Sequence, residues 1–173
     1  MCAGALRGSL NHRGAGGGRR RSLSAIRYAA IPTPQNRSLM PTPRRIIPVL
    51  VYEDIPAGHD FLVTAFGFVS GGIERDDQGR PVHAEVRAGT MPIWLHRVTA
   101  AHNLASPRTA NVASSGLVVH VDDVDAHCEH ARRHGAVIER EPEDQPYGQR
   151  EYSARDPEGH RWWFATPLHA GAT

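Results

Sequence analysis

The chain has 173 residues, and its 20 basic side chains are all arginine, set against 18 acidic ones. With no lysine present, a Schiff-base lysine, a phosphate-loop lysine and a lysine general base are excluded. The net charge of +2 is unevenly spread: residues 1–45 hold nine arginines and no acid, so the other 128 residues carry 11 arginines against 18 acids, a net of −7. The sequence pI of 8.8 thus belongs to the first segment and is no argument for nucleic-acid binding.

Residues 1–44 read as a disordered Arg/Gly/Pro-rich extension. Gly14 to Arg21 runs GAGGGRRR, and Pro32, Pro34, Pro41 and Pro43 punctuate the next stretch, a composition that buries too little apolar area to offset its ordering entropy. Three readings of this segment stand: an over-extended start with Met40 as the initiator, a genuine extension, or a segment for targeting or nucleic-acid contact. No apolar run approaches the roughly 18 residues of a bilayer span, so a cytoplasmic protein with neither membrane nor nucleic acid as partner is expected. Cys2 and Cys128 cannot build a disulfide framework.

Residues 45–169 read as one domain of two similar modules, 45–99 and 112–169. In the first, the apolar strand Ile46 to Tyr52 precedes Glu53-Asp54, and Phe61, Leu62, Ala65 and Phe66 recur at helical spacing until Gly67. Strand-like runs follow at His83 to Arg87 and Met91 to His96, joined by Ala88-Gly89-Thr90. In the second, the strand Gly116 to Val121 precedes Asp122-Asp123, and Val124, Cys128 and Ala131 recur at i, i+4 and i+7 until Gly135. Its closing runs are Arg150 to Arg155 and His160 to Ala165, joined by Asp156-Pro157-Glu158-Gly159. Asp54 and Asp123 are 69 residues apart, and so are Trp94 and Trp163. Two landmarks sharing one offset mark an internal repeat. Each module is therefore a strand, a helix and then two or three strands, with Cys128 as a small core residue.

The stretch Val121-Asp122-Asp123-Val124-Asp125, then His134-Gly135-Ala136, Tyr147-Gly148-Gln149-Arg150-Glu151-Tyr152 and above all Asp156-Pro157-Glu158-Gly159-His160-Arg161-Trp162 resembles the vicinal oxygen chelate superfamily. This is the glyoxalase/bleomycin-resistance/extradiol-dioxygenase fold. The resemblance implies an α+β fold of two paired βαβββ modules forming a curled mixed sheet around a central cavity, often completed by homodimerisation. It also implies four metal-ligand positions, which fall here on Ile47, Trp94, Gly116 and Trp163. None of these side chains ligates a divalent ion. No metal and no cofactor is therefore expected, as in the bleomycin-resistance-like branch.

Strand alternation puts Val49 on the cavity face of one opening strand and Val118 and His120 on that of the other. Trp94 with His96, Arg161 with Trp163, and His83 with Glu85 join them, whereas Trp162 and Phe164 face the helices. The expectation is a cavity floored by two indoles, with His83, Glu85, His96, His120 and Arg161 as its polar groups, for a flat, partly apolar small-molecule ligand. Binding or sequestration of a planar, cationic compound, as in antibiotic resistance, is the leading reading. The alternative is a glyoxalase-like lyase or isomerase in which His120, with Glu85 and His83, does acid/base chemistry. His127, His130 and His134 share one helix face, which reads as solvated. Arg150, Arg155, Asp156 and His160 read as structural hydrogen bonders of the closing hairpin.

Overall fold

An acidic residue placed just before an apolar helical stripe can satisfy the first orphan amides of that helix. In the computed structural model both repeat aspartates do so. The Asp54 carboxylate accepts from the Ala57 amide at 3.0 Å, and Asp123 accepts from Ala126 at 3.0 Å. They open α1 (Ile55–Ala65) and α3 (Val124–Arg133), between which lies the short α2 (Pro107–Ala110). The structure describes residues 42–168, so the expectations for residues 1–41 lie outside the described residues. The chain divides into a unit Met1–Pro43 and a unit Arg44–Thr173, and all the described helices and strands lie in the second.

Around the helices run β1 (Val49–Tyr52), β2 (Val69–Arg75), β3 (Pro81–Ala88) and β4 (Met91–Arg97), then β5 (Gly116–His120), β6 (Val137–Gln145), β7 (Gln149–Arg155) and β8 (Arg161–Pro167). They form two four-stranded mixed sheets, ordered β1-β4-β3-β2 and β5-β8-β7-β6. In each, the opening strand lies parallel to the closing one and the rest is antiparallel. The architecture is the α+β arrangement of two βαβββ modules expected from the repeat.

Both modules have a third closing strand, β2 and β6, inside what reads as a polar connection. Each is an edge strand with two register irregularities. β2 carries Gly71-Gly72, with Gly72 at φ +103°, and β6 carries Pro142. An edge strand with one wet side and a bulge loses the alternation by which strands are read from sequence.

The helix-facing sides of the two sheets merge into one core. Leu50, Tyr52, Ala84, Val86 and Leu95 of the first module join Tyr152, Ala154, Trp162 and Phe164 of the second, with Leu62, Phe66, Cys128 and Ala131 from the helices. Phe66 sits edge-on to both Trp162 (5.5 Å) and Phe164 (4.8 Å). The parity assigned to Trp162 and Phe164 thus holds, as does the core placement of Cys128, whose thiol burial pushes upward in pKa.

The modules are also clasped by buried polar groups. The Asp156–Gly159 turn of the second module inserts at the β1–α1 junction of the first. There Glu158 accepts from the amides of Glu53 (3.2 Å) and Asp54 (3.1 Å) and from the Ser106 hydroxyl (2.5 Å). Asp156 accepts from the Tyr52 hydroxyl at 2.6 Å, the Trp162 indole N–H at 3.2 Å and the His160 ring at 3.1 Å. Burial alone would push the Asp156 carboxyl up. The hydrogen bond and charge of His160, with the Tyr52 and Trp162 donors, outweigh it and hold the group below its ordinary range. Arg155, with its carboxylate partner Glu139, and Asp156 and His160 are structural hydrogen bonders, as expected.

The histidine face of α3 is solvated only in part: His134 is exposed, as expected, but His127 and His130 are half-buried. A helix ends with carbonyls that lack internal partners, and α3 supplies partners to those at the end of α1. His127 Nε2 donates to the Phe66 carbonyl at 3.2 Å, and His130 Nε2 donates to that of Thr64 at 2.9 Å. His134 stacks on His130 at 4.2 Å.

Candidate ligand-binding site

The side of each sheet turned away from the helices carries the expected site residues, divided between the two modules. On the first sheet, Val49 pairs with Trp94, Glu85 with Trp94 and His83 with His96. Trp94 is 36% exposed and Val49 45%. The Trp94 indole N–H donates to Glu85 Oε2 at 3.0 Å, and Arg87 Nε donates to Glu85 Oε1 at 2.8 Å. These donors, the indole first, hold the Glu85 carboxyl below its ordinary range. His83 meets Trp94 edge-on at 5.2 Å, and His96 lies 4.7 Å from His102.

On the second sheet the rows are set by register. Val118, Trp163, Ser153 and Arg140 lie side by side across the four strands, and so do His120, Ala165, Glu151 and Glu143. Arg155 and Arg161 share Glu139, at 2.6 and 2.9 Å, and the Arg161 guanidinium lies 5.2 Å from the centre of the Trp163 ring. Val118 is 59% exposed. The tip of the Trp163 indole lies over Gly116: a Cβ there would stand 2.3 Å from Trp163 Cζ3.

Within one chain the expected residues do not line one cavity. The two tryptophans belong to different sheets, and no ring contact joins them among the described residues. A cleft of about 730 Å³ runs between the modules along β5, walled by Phe66, Phe68, Ile93 and Leu117. Of the expected residues only Val118 and His120 reach it, together with His127. Among the described residues no hydrogen bond or ion pair joins His120 to Glu85, whose oxygens are taken by Trp94 and Arg87.

The four positions at which the fold family implies a metal do not fit one. Ile47 and Gly116 offer no donor atom, Trp94 and Trp163 offer only indoles, and the Trp163 ring fills the space in front of Gly116. Among the described residues no group of three or more His, Cys, Asp or Glu side chains is disposed to hold a metal ion.

Two groups escape a reading of the sequence. His127 Nδ1 lies 2.7 Å from the Tyr152 hydroxyl, a contact that only packing of α3 on β7 creates. Ser153 is a short polar residue in a strand, with nothing in its spacing to single it out, yet it is 1% exposed on the face that carries Trp163.

A family model described as the Glyoxalase/Bleomycin resistance protein/Dioxygenase superfamily matches residues 46–164. Uncharacterized protein Mb0911c of Mycobacterium bovis is 31% identical over 124 residues, 70% of this chain and 82% of that protein. Among solved structures, TioX from Micromonospora sp. ML1 superposes with a TM-score of 0.59 at 28% identity, covering 73% of this chain and all of that one. A glyoxalase-related enzyme from Clostridium phytofermentans shares the fold with a TM-score of 0.58 at 19% identity, over 73% of this chain and 97% of that one. No helix among the described residues is long and apolar enough to cross a membrane.

Proposed function

The chain belongs to the Glyoxalase/Bleomycin resistance protein/Dioxygenase superfamily, and from that premise we propose that it binds a small planar aromatic compound without metal and without turnover. The observation that carries this reading is the Trp163 ring lying over Gly116, an aromatic surface at two positions where a metal-binding relative needs ligands. Trp94, held by Glu85, is its counterpart in the other module. Val49 and Val118 supply apolar walls, and His96, His120 and Arg161 supply polar rims. Each tryptophan contributes about 0.5–1.5 kcal/mol of stacking beyond area burial. The negative charge of residues 46–173 favours a cationic ligand. Sequestration in the cytoplasm, in the manner of antibiotic resistance, is the role that goes with such a site.

A second copy of the chain completes the site in this reading. Val49, Trp94 and Val118 remain exposed on two separate sheet faces, and apposing those faces across a homodimer brings the two half-sites together. The enzymatic alternative needs His120 beside Glu85, and the ties of Glu85 to Trp94 and Arg87 disfavour it.

Titrating tryptophan fluorescence with planar cations such as 9-aminoacridine tests the binding. Quenching that saturates, and that a Trp94→Ala/Trp163→Ala double variant loses, is expected; unchanged affinity in that variant rejects stacking. Stoichiometric zinc, nickel, manganese or iron in the purified protein rejects the metal-free reading. A monomer mass by light scattering at micromolar concentration rejects the shared site.

A further inference from the structure

Strand alternation places Ser153 of β7 on the open face of the second sheet, between Trp163 of β8 and Arg140 of β6. Polar groups withdrawn from water are normally paired, and the other buried polar side chains follow that rule. Ser106, Asp156, Glu158 and His160 all have partners. Ser153 Oγ does not. Among the described residues it is the one buried side-chain oxygen or nitrogen with no hydrogen-bond partner in the chain. The residue borders a notch of about 10 Å³, lined also by Trp163, Arg140, Glu141, Glu143 and Glu151. A notch of that size holds about one water-sized group.

The chemistry around the notch selects that group. Glu151 accepts from the Tyr147 hydroxyl and the Gln149 amide, each at 2.7 Å, and both of these donors are neutral. Neither Glu143 nor Glu151 enters a salt bridge among the described residues, and Arg140 is the single cation on the lining. Glu141, the third carboxylate on the lining, is paired with Arg132 at 2.6 Å; the two left, against one guanidinium, make the notch negative, which favours a hydrogen-bond donor carrying positive charge.

We propose that Ser153 is the polar anchor of the site: its hydroxyl accepts a hydrogen bond from an amino group borne on a planar cationic ring that lies against Trp163. This deepens the binding reading above and rests on it. Ser153 sets the specificity for ligands that carry the amino group, and Trp163 sets affinity for the ring.

Calorimetric titration with acridine and with 9-aminoacridine, against the wild-type chain and a Ser153→Ala variant, tests the proposal. Serine to alanine removes one oxygen and leaves the strand intact, and binding of unsubstituted acridine reports that the ring surface is preserved. The expected result is a loss of about tenfold in affinity for 9-aminoacridine, the worth of one hydrogen bond to a charged donor, with acridine changed by less than about twofold. Equal losses on both probes, or no loss on either, overturns the anchor and leaves the binding reading standing. Failure of the wild-type chain to bind either probe overturns both.

Discussion

The Trp163 ring occupies the space into which a side chain at position 116 would project. A Cβ on Gly116 would stand 2.3 Å from Trp163 Cζ3 and 2.8 Å from the Arg161 carbonyl oxygen. The glycine is therefore a steric condition of the tryptophan, and the two positions are coupled. Gly116→Ala should displace the indole, cost about 1–3 kcal/mol as overpacking, shift the tryptophan emission and weaken binding of planar compounds. Urea unfolding with fluorescence detection checks this. In a Trp163→Ala background the same substitution should cost less, because the obstructing ring is gone, while the contact with the Arg161 carbonyl oxygen remains.

The corresponding tryptophan of the first module is held by a different device. Trp94 donates to Glu85, and Gly71 leaves room for that glutamate: a Cβ at Gly71 would lie 2.7 Å from Glu85 Cβ. Trp94→Phe keeps an aromatic surface and removes the donor. The Glu85 carboxyl should then rise toward the ordinary glutamate value of about 4.3, while Arg87 still restrains it. Carboxyl-detected NMR titration of the two proteins measures the difference, and an unchanged Glu85 would show that the indole does not hold it.

The polar clasp predicts a graded response at Glu158. Glu158→Ala strands the amides of Glu53 and Asp54 and the Ser106 hydroxyl in a buried site, and should cost about 2–4 kcal/mol. Glu158→Gln keeps an acceptor for the two amides and should cost less than half as much. Denaturant unfolding separates the two, and a similar loss in both would mean that the charge, not the acceptor geometry, holds the junction.

Much of this fold was legible because the repeat is written twice. Asp54 and Asp123 cap as their positions require, and the alternation around Trp162 and Phe164 assigned the buried face correctly. What sequence conceals is contact between modules. Glu158 sits in a turn with polar neighbours, where an exposed side chain is the ordinary outcome. Only the docking of that turn on β1 makes it 2% exposed. The candidate site suffered in the same way. Parity placed its residues on the correct faces, but parity carries no information on whether two sheets share one cavity. The bulged edge strands β2 and β6 were illegible because neither buries a regular face.

Protonation of His127 should produce a distinct pH dependence of stability. Its Nε2 donates to the Phe66 carbonyl, which can only accept, and because burial holds its pKa down the ring is neutral near pH 7, which leaves Nδ1 to accept from the Tyr152 hydroxyl. Burial lowers its pKa below the ordinary histidine value of about 6.5. Between the folded and unfolded pKa values the unfolded chain binds more protons, so stability rises with pH there. The contribution is full above about pH 6.5 and is lost as pH falls through the folded pKa. Asp156 adds a second, lower window. Its folded pKa lies below the ordinary range, so its contribution is present above about pH 4 and is lost on further acidification. Melting temperature should therefore fall in two stages, and His127→Gln should remove the upper stage and leave the lower one. Retention of the upper stage in that variant would place its origin in another histidine.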